Sequence, residues 1–143
     1  MGDYNGAYIF DGGNHIKISQ EIQQIWNLIY APAKNTMWFL NDLSQQRIFI
    51  GVPLPTPNFW LPNAATNATP ATPNVILMCS YFGLFTGSEI AGAIAVHVSP
   101  FSGQLLFHDG KRKWSIWQIA AATAAWINRS DGSSQIWFGQ AGL

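Results

Sequence analysis

An internal repeat constrains the fold of this chain more than any other sequence feature. Residues 36–51 align without gaps on residues 124–139, at an offset of 88 residues. Apolar positions match apolar positions, and the middle of each segment is polar; the aligned pairs include Trp38 with Trp126, Ile48 with Ile136, Phe49 with Trp137, Ile50 with Phe138 and Gly51 with Gly139. Because one copy of a repeated unit cannot bury its apolar surface alone, the repeat predicts that copies of the unit stack on each other.

A second pair of matching segments lies upstream of the first pair. In one copy, Phe-Asp-Gly at 10–12 precedes Lys-Ile-Ser at 17–19, and in the other, Phe-His-Asp-Gly at 107–110 precedes Lys-Trp-Ser at 113–115. The order of the segments is therefore the same in both copies. We predict that the chain holds one full period of the repeat and most of a second.

The repeat also predicts the domain organisation. Residues 1–143 are expected to form one unit made of two repeats, at about 7–98 and 104–143. Residues 53–73 fall outside the repeated pattern and hold six prolines. Because proline cannot donate a backbone hydrogen bond within a central strand, this segment is predicted to be a long surface loop inserted into the first repeat.

Short apolar and aromatic runs separated by turn residues predict that most of the chain is β-structure. Asp131-Gly132 between two apolar runs indicates a hairpin, because glycine takes a positive φ without a steric clash. Apolar residues at helical spacing within 19–29 predict a short helix or turn. The Ala-rich segment 119–125 is compatible with a helix, but the repeat assigns its end to a strand. The predicted strands cover residues 7–10, 15–19, 38–40, 47–51, 74–82, 93–98, 104–107, 113–119, 126–128 and 135–138.

Repeated short strands with periodic aromatic and turn residues are typical of β-propeller blades, each a four-stranded sheet. The chain supplies about two such blades, whereas propellers close with about 4–8 blades. We therefore predict an all-β, propeller-like fold that is completed in one of two ways. Copies of the chain form a cyclic homo-oligomer, most simply a trimer with six blades, or the chain is a piece of a longer propeller.

Several of these segments resemble the blade repeats of large β-propeller proteins found in bacteria and in phage or prophage virions. The segments that carry the resemblance are 8–13, 17–19, 47–53 and 112–117. The resemblance implies a structural role, other virion proteins as partners, and a location in a virion or in the bacterial cytoplasm. Its motifs are structural, so no functional residue carries over from it.

The composition argues against a nucleic-acid partner and in favour of self-association. Seven basic residues balance seven acidic residues, and only 10% of the chain is charged. Binding to a phosphate backbone needs a basic surface, which this composition does not provide. A chain with 48% hydrophobic and 14% aromatic residues is expected to have much of its surface covered, and we predict that other copies of the chain or neighbouring domains cover it.

The sequence shows no signal for secretion, membrane insertion or disulfide formation. The N-terminus lacks the basic segment and apolar core of a signal peptide, and no apolar run approaches the roughly 20 residues of a membrane span. Cys79 is the only cysteine, so no disulfide forms within the chain. Its apolar neighbours predict a buried thiol.

The chemically reactive side chains do not form a catalytic pattern, so we predict a protein that is not an enzyme. Most carboxylates precede glycine or lie in turns, and the exceptions, Glu21 and Glu89, lie in different loops rather than in a glycosidase-like pair. His15, His97 and His108 lack metal-ligand spacing. We therefore predict neither a metal site nor a cofactor.

The aromatic residues provide the only candidate binding site. Phe59 and Trp60 lie in the Pro-rich segment, outside the repeat, where an exposed aromatic pair suits contact with a sugar, a protein or a membrane surface. The alternative is that the pair attaches the loop to the body of the protein. Trp38, Trp126 and Trp137 are predicted to pack between blades because they occupy repeat positions. Two further tryptophans, Trp114 and Trp117, are expected on opposite faces of one strand.

Two functions are consistent with these features. The first is a non-enzymatic structural or assembly module that forms a ring-shaped β-propeller and whose setting is a phage or prophage virion. The alternative is a carbohydrate-binding propeller in which loop aromatics stack on glycans. A hydrolase ranks third, because paired acids are missing.

Overall fold

A computed structural model describes residues 2–3, 6–11, 14–42, 46–81, 104–108, 112–128, 130 and 134–139. This part of the chain is mostly antiparallel β-structure with little helix, so the all-β prediction is confirmed. Its strands are β1 (Gly2–Asp3), β2 (Gly6–Asp11), β3 (Asn14–Lys17), β4 (Trp38–Asp42), β5 (Arg47–Val52), β6 (Val75–Tyr81), β7 (Gln104–His108), β8 (Arg112–Trp117), β9 (Thr123–Asn128) and β10 (Ser134–Gly139). Its helical segments are the 3₁₀ helices Gln20–Ile22 and Ala31–Thr36 and the short α-helix α1 (Gln23–Trp26).

The helical segments lie between β3 and β4. The short helix predicted within 19–29 is present as the 3₁₀ helix Gln20–Ile22 followed by α1. The 3₁₀ helix Ala31–Thr36 was not predicted; Pro32 lies in its first turn, where the fixed φ of proline favours a helix start. The strand predicted at 93–98 lies outside the described residues.

The strands form three antiparallel sheets. The largest, which we call the central sheet, has the order β4-β5-β6-β8-β7. A three-stranded sheet has the order β1-β2-β3, and β9 pairs with β10 in a two-stranded hairpin. The described residues form neither a closed barrel nor a propeller.

The central sheet is buried on both faces. Cross-strand partners point to the same face, and successive residues in a strand point to opposite faces. Trp114 lies on one face with Cys79, and Trp117 lies on the other with Ile76. We name these the Trp114 face and the Trp117 face. The expectation of opposite faces for the two tryptophans is confirmed, and both side chains are buried, as is the Cys79 thiol.

The N-terminal segments cover the Trp114 face. Ala7, Ile18 and the apolar side of α1 belong to one buried cluster with Ile50 and Trp114. The indole N–H of Trp114 donates a hydrogen bond of 2.9 Å to the carbonyl of Ile18. Since fully burying one large apolar side chain contributes about 1.5–3 kcal/mol, this cluster is a major source of stability.

The C-terminal hairpin covers the Trp117 face. Ile136 and Phe138 of β10 pack against a buried cluster that includes Phe49 and Trp117. The Phe138 ring lies 5.9 Å, centroid to centroid, from the ring of Trp38 and 5.9 Å from that of Phe49. The central sheet therefore lies between the C-terminal hairpin on one face and the N-terminal sheet with its following helical segments on the other.

The two hairpins that the sequence repeat aligns, β4–β5 and β9–β10, are both present but differ in register. Gly51 pairs with Trp38 in the first hairpin, whereas Gly139 pairs with Thr123 in the second. Trp126, which aligns with Trp38, lies opposite Ile136 instead. The two copies thus share their strands and a glycine near the end of the second strand, but the strands pair in a different register.

Candidate functional site

The aromatic pair in the Pro-rich segment is divided between the core and the surface. Trp60 is half-buried and packs against the cluster on the Trp114 face. Phe59 is 87% exposed. The two rings meet edge to face, with centroids 5.6 Å apart and planes at 86°. Trp60 therefore attaches the segment to the body, while Phe59 projects from it.

Local hydrogen bonds fix the shape of this segment. The side-chain oxygen of Asn58 accepts hydrogen bonds of 3.0 Å from the backbone N–H groups of both Trp60 and Leu61. Its amide nitrogen donates to the carbonyl of Pro55 at 3.0 Å. Asparagine side chains commonly form such turns, so an Asn one residue after Pro57 is a sequence signal that could have located the bend.

A cavity of about 390 Å³ lies where the Pro-rich segment meets the connection from β8 to β9. Its lining is neutral and mostly polar or small: Thr56, Ala65, Thr66, Asn67, Asn74, Gln118 and Ala120. The Asn74 amide is engaged within the protein, because it both donates to and accepts from the backbone of Leu54. Neither Phe59 nor Trp60 lines the cavity, so the predicted aromatic site and the cavity are separate features.

The reactive side chains do not converge in the part of the chain that the structure describes. Within these residues, no group of three His, Cys, Asp or Glu side chains is placed to hold a metal ion. Glu21 lies in the 3₁₀ helix Gln20–Ile22, and Glu89 lies outside the described residues, as does His97. The side chains of His15 and His108 are likewise outside the described set.

The outer side of the C-terminal hairpin is an exposed apolar surface, which we call the hairpin face. Its apolar members are Ala125 and Ile127 of β9 and Trp137 of β10, and the polar residues Thr123 and Gln135 lie on the same face. Ile127 is 37% exposed and Trp137 is 59% exposed. Trp137 is therefore not packed within one chain, and its predicted packing between blades stays a prediction about contacts with another copy. Ile136 and Phe138 point to the central sheet, so alternation turns Trp137 away from it. The Trp126 side chain lies outside the described set.

A second exposed aromatic lies at the edge of the central sheet. Phe39 of β4 pairs with Ile50, and this pairing places it on the Trp114 face. Ile50 is fully buried, but Phe39 remains 37% exposed because the N-terminal segments do not cover it completely. An edge strand with an exposed aromatic residue is a site where another chain can pack or pair.

No protein-family model matches the sequence, and no curated protein or solved structure matches it either. Among the described residues, no helix is long and apolar enough to cross a membrane. The features of the chain that bear on function are the stacked sheets, the hairpin face, the exposed Phe39 at the edge of the central sheet, and the loop aromatics Phe59 and Trp60.

Proposed function

We propose that this chain is a non-enzymatic structural module that assembles head to tail with copies of itself into a ring-shaped β-propeller. The supporting observation is the three-layer stack. A smaller sheet of the same chain helps to cover each face of the central sheet, together with the helical segments after β3 on the Trp114 face. Propeller blades stack face to face in the same way around a common axis.

The repeat indicates how the two smaller sheets are completed. The aligned segments equate β9–β10 with β4–β5, and they equate β2–β3 with β7–β8. β4–β5 and β7–β8 both belong to the central sheet. By analogy, β9–β10 and β2–β3 also belong together in one sheet.

A single chain cannot bring those two hairpins together in one sheet. β2 and β3 lie with the cluster on the Trp114 face, through Ala7 and Ile18, whereas β10 lies on the Trp117 face, through Ile136 and Phe138. Stacked sheets are about 10 Å apart, so the hairpins are two layers away from each other. The hairpins of two different copies can meet, and each contact between copies then creates one composite sheet.

This arrangement gives two sheets for each copy in the ring: one central sheet and one composite sheet. Because propellers have about 4–8 blades, a trimer with six blades is the favoured ring. The resemblance to blade repeats of phage and prophage proteins supports a virion setting, with other virion proteins as further partners. In a longer parent chain, the adjoining repeats would occupy the same surfaces.

Native mass spectrometry and light scattering test the assembly. We expect a principal species with three times the 15.8 kDa mass of one chain, which dissociates on dilution without losing its β-structure. A dimer or tetramer would change the ring size but keep the head-to-tail principle. A well-folded monomer at every concentration would contradict the proposal.

The exposed Phe59 ring favours carbohydrate binding as a second candidate function. Exposed aromatic rings on loops are a common platform for stacking apolar faces of ligands, and Phe59 projects from a segment held by Trp60. A glycan array tests this function, with Phe59→Ala as the informative variant and Leu28→Ala, another exposed apolar residue, as the control. Absence of binding, or binding that Phe59→Ala leaves unchanged, would remove the candidate.

A further inference from the structure

We propose that the hairpin face of one copy docks on the Phe39 edge of the Trp114 face of the next copy, with Trp137 as the anchor of the contact. This inference rests on the proposed head-to-tail assembly and names the surfaces that carry it. Both surfaces are exposed and apolar in the single chain, at 59% for Trp137 and 37% for Phe39.

The direction of stacking inside the chain supports this choice of partner. The inner side of the C-terminal hairpin carries Ile136 and Phe138, which align with Ile48 and Ile50 in the repeat. Ile48 and Ile50 belong to the cluster on the Trp114 face. The inner side of β10 is therefore equivalent to the Trp114 face, and inside the chain it packs on the Trp117 face of the central sheet. The equivalence holds for β10 alone, because the different registers of the two hairpins turn β9 over relative to β4.

Through β10, the hairpin face is accordingly equivalent to the Trp117 face. Trp137 aligns with Phe49, and the Phe49 ring lies on the Trp117 face, 5.6 Å from the Trp117 ring. Inside the chain, the Trp117 face of the central sheet is covered by the inner side of β10, which corresponds to the Trp114 face. If the same stacking continues between copies, the hairpin face is covered by the Trp114 face of another copy.

Only part of the Trp114 face is available to receive a second copy. Its centre is occupied by the N-terminal segments, which bury Ile50 and Trp114 completely. Phe39 and Asn41, which lie on the same face of β4, remain exposed. The intramolecular template is itself aromatic, because Phe138 packs between Trp38 and Phe49. The contact of Trp137 with Phe39 repeats this type of packing.

The test measures the dissociation constant of the assembly by light scattering over a dilution series. Aromatic anchors at the centre of an interface dominate its affinity, so we expect Trp137→Glu and Phe39→Glu each to weaken association more than about tenfold. Phe59→Glu is the matched control, because Phe59 is more exposed than either residue and lies outside the proposed contact. Circular dichroism verifies that each variant is folded.

A second variant tests the receiving surface independently, so that the test does not depend on the folding of Phe39→Glu. Asn41→Glu places the same charge on the same face of β4, at a position that is already exposed. A charge-pairing experiment identifies the pair directly: Trp137→Glu combined with Phe39→Lys in the same chain brings opposite charges together at every contact of a head-to-tail ring. We expect this double variant to recover association that neither single variant shows.

The possible outcomes separate this inference from the proposed function. A wild-type monomer at all concentrations overturns the assembly itself. A wild-type oligomer that Trp137→Glu leaves intact overturns the docking surface but not the assembly. An oligomer that is sensitive to Trp137→Glu but insensitive to Phe39→Glu and Asn41→Glu overturns the choice of partner surface, as for a symmetric contact between two hairpin faces.

Discussion

Gly51 allows the indole of Trp38 to lie directly on the backbone of the neighbouring strand. A Cβ atom at Gly51 would overlap the indole, with the Cζ2 atom of Trp38 at 2.7 Å. The indole cannot move freely, because its N–H donates a hydrogen bond of 2.8 Å to the carbonyl of Ala121. Its ring also contacts Phe138 of the C-terminal hairpin. Gly51→Ala should therefore displace Trp38 and loosen the hairpin from the Trp117 face.

The expected loss combines three contributions to the free energy of unfolding. Overpacking costs about 1–3 kcal/mol. Weakening the hydrogen bond from Trp38 to Ala121 costs about 1 kcal/mol more. Against these, replacing Gly by Ala in a compatible backbone conformation gains about 0.4–1 kcal/mol by restricting the unfolded chain. The net destabilisation is about 2 kcal/mol, so the steric contribution dominates.

Urea unfolding at a fixed protein concentration, followed by tryptophan fluorescence, measures this loss. Gly139→Ala is the matched control at the repeat-equivalent position. A Cβ at Gly139 would lie 2.8 Å from the Cγ2 methyl of Thr123, an exposed side chain that can rotate away. We expect the control to lose less than about 1 kcal/mol.

A double-mutant cycle with Trp38→Ala isolates the contact, because residues that touch are coupled. In the Trp38→Ala background, Gly51→Ala should cost almost nothing, since the indole is gone. The reasoning would be refuted if Gly51→Ala and Gly139→Ala lost the same stability, or if the cost of Gly51→Ala did not change when Trp38 was removed.

Two further substitutions test the N-terminal layer and the β4–β5 hairpin. Trp114→Phe removes the N–H that donates to the carbonyl of Ile18 and leaves a buried carbonyl unpaired, so we expect a loss of about 1–3 kcal/mol. Hydrogen exchange at residues 14–18 should accelerate, and an unchanged exchange rate would contradict the role of Trp114. Arg47→Met removes the guanidinium that lies 2.8 Å from the buried Asp42 carboxylate, and we expect a loss of about 3 kcal/mol in urea unfolding. Arg47→Lys should lose less, and equal losses would count against the ion pair.

Most of the described strands could be predicted from the sequence, because the cue for each one is local. The strand Val75–Tyr81 opens with a continuous apolar run at residues 75–79, as expected for a strand buried on both faces, and it lies at the centre of the largest sheet. The helical spacing within 19–29 also predicted a real element. Alternation within Arg112–Trp117 placed Trp114 and Trp117 on opposite faces.

The features that were not predicted depend on pairing, which a local pattern does not encode. The gap-free alignment of the two hairpins does not specify how many residues each turn contains. The difference in register between the hairpins therefore could not be predicted from it. The exposure of Trp137 follows from which side of the hairpin meets the central sheet. The burial of Trp60 and the exposure of Phe59 depend on contacts with the distant cluster on the Trp114 face.

The direction of the strands adds one constraint on any composite sheet. In the central sheet, β6 lies between β5 and β8 and is antiparallel to both, so β5 and β8 run parallel to each other. In a composite sheet, β10 and β3 take the positions of β5 and β8, and they should also run parallel. Direct pairing of β10 with β3 would then form a parallel ladder in an otherwise antiparallel assembly. An intervening strand that is antiparallel to both, as β6 is, preserves the pattern of the central sheet and covers the edge of β10 that has no partner among the described strands.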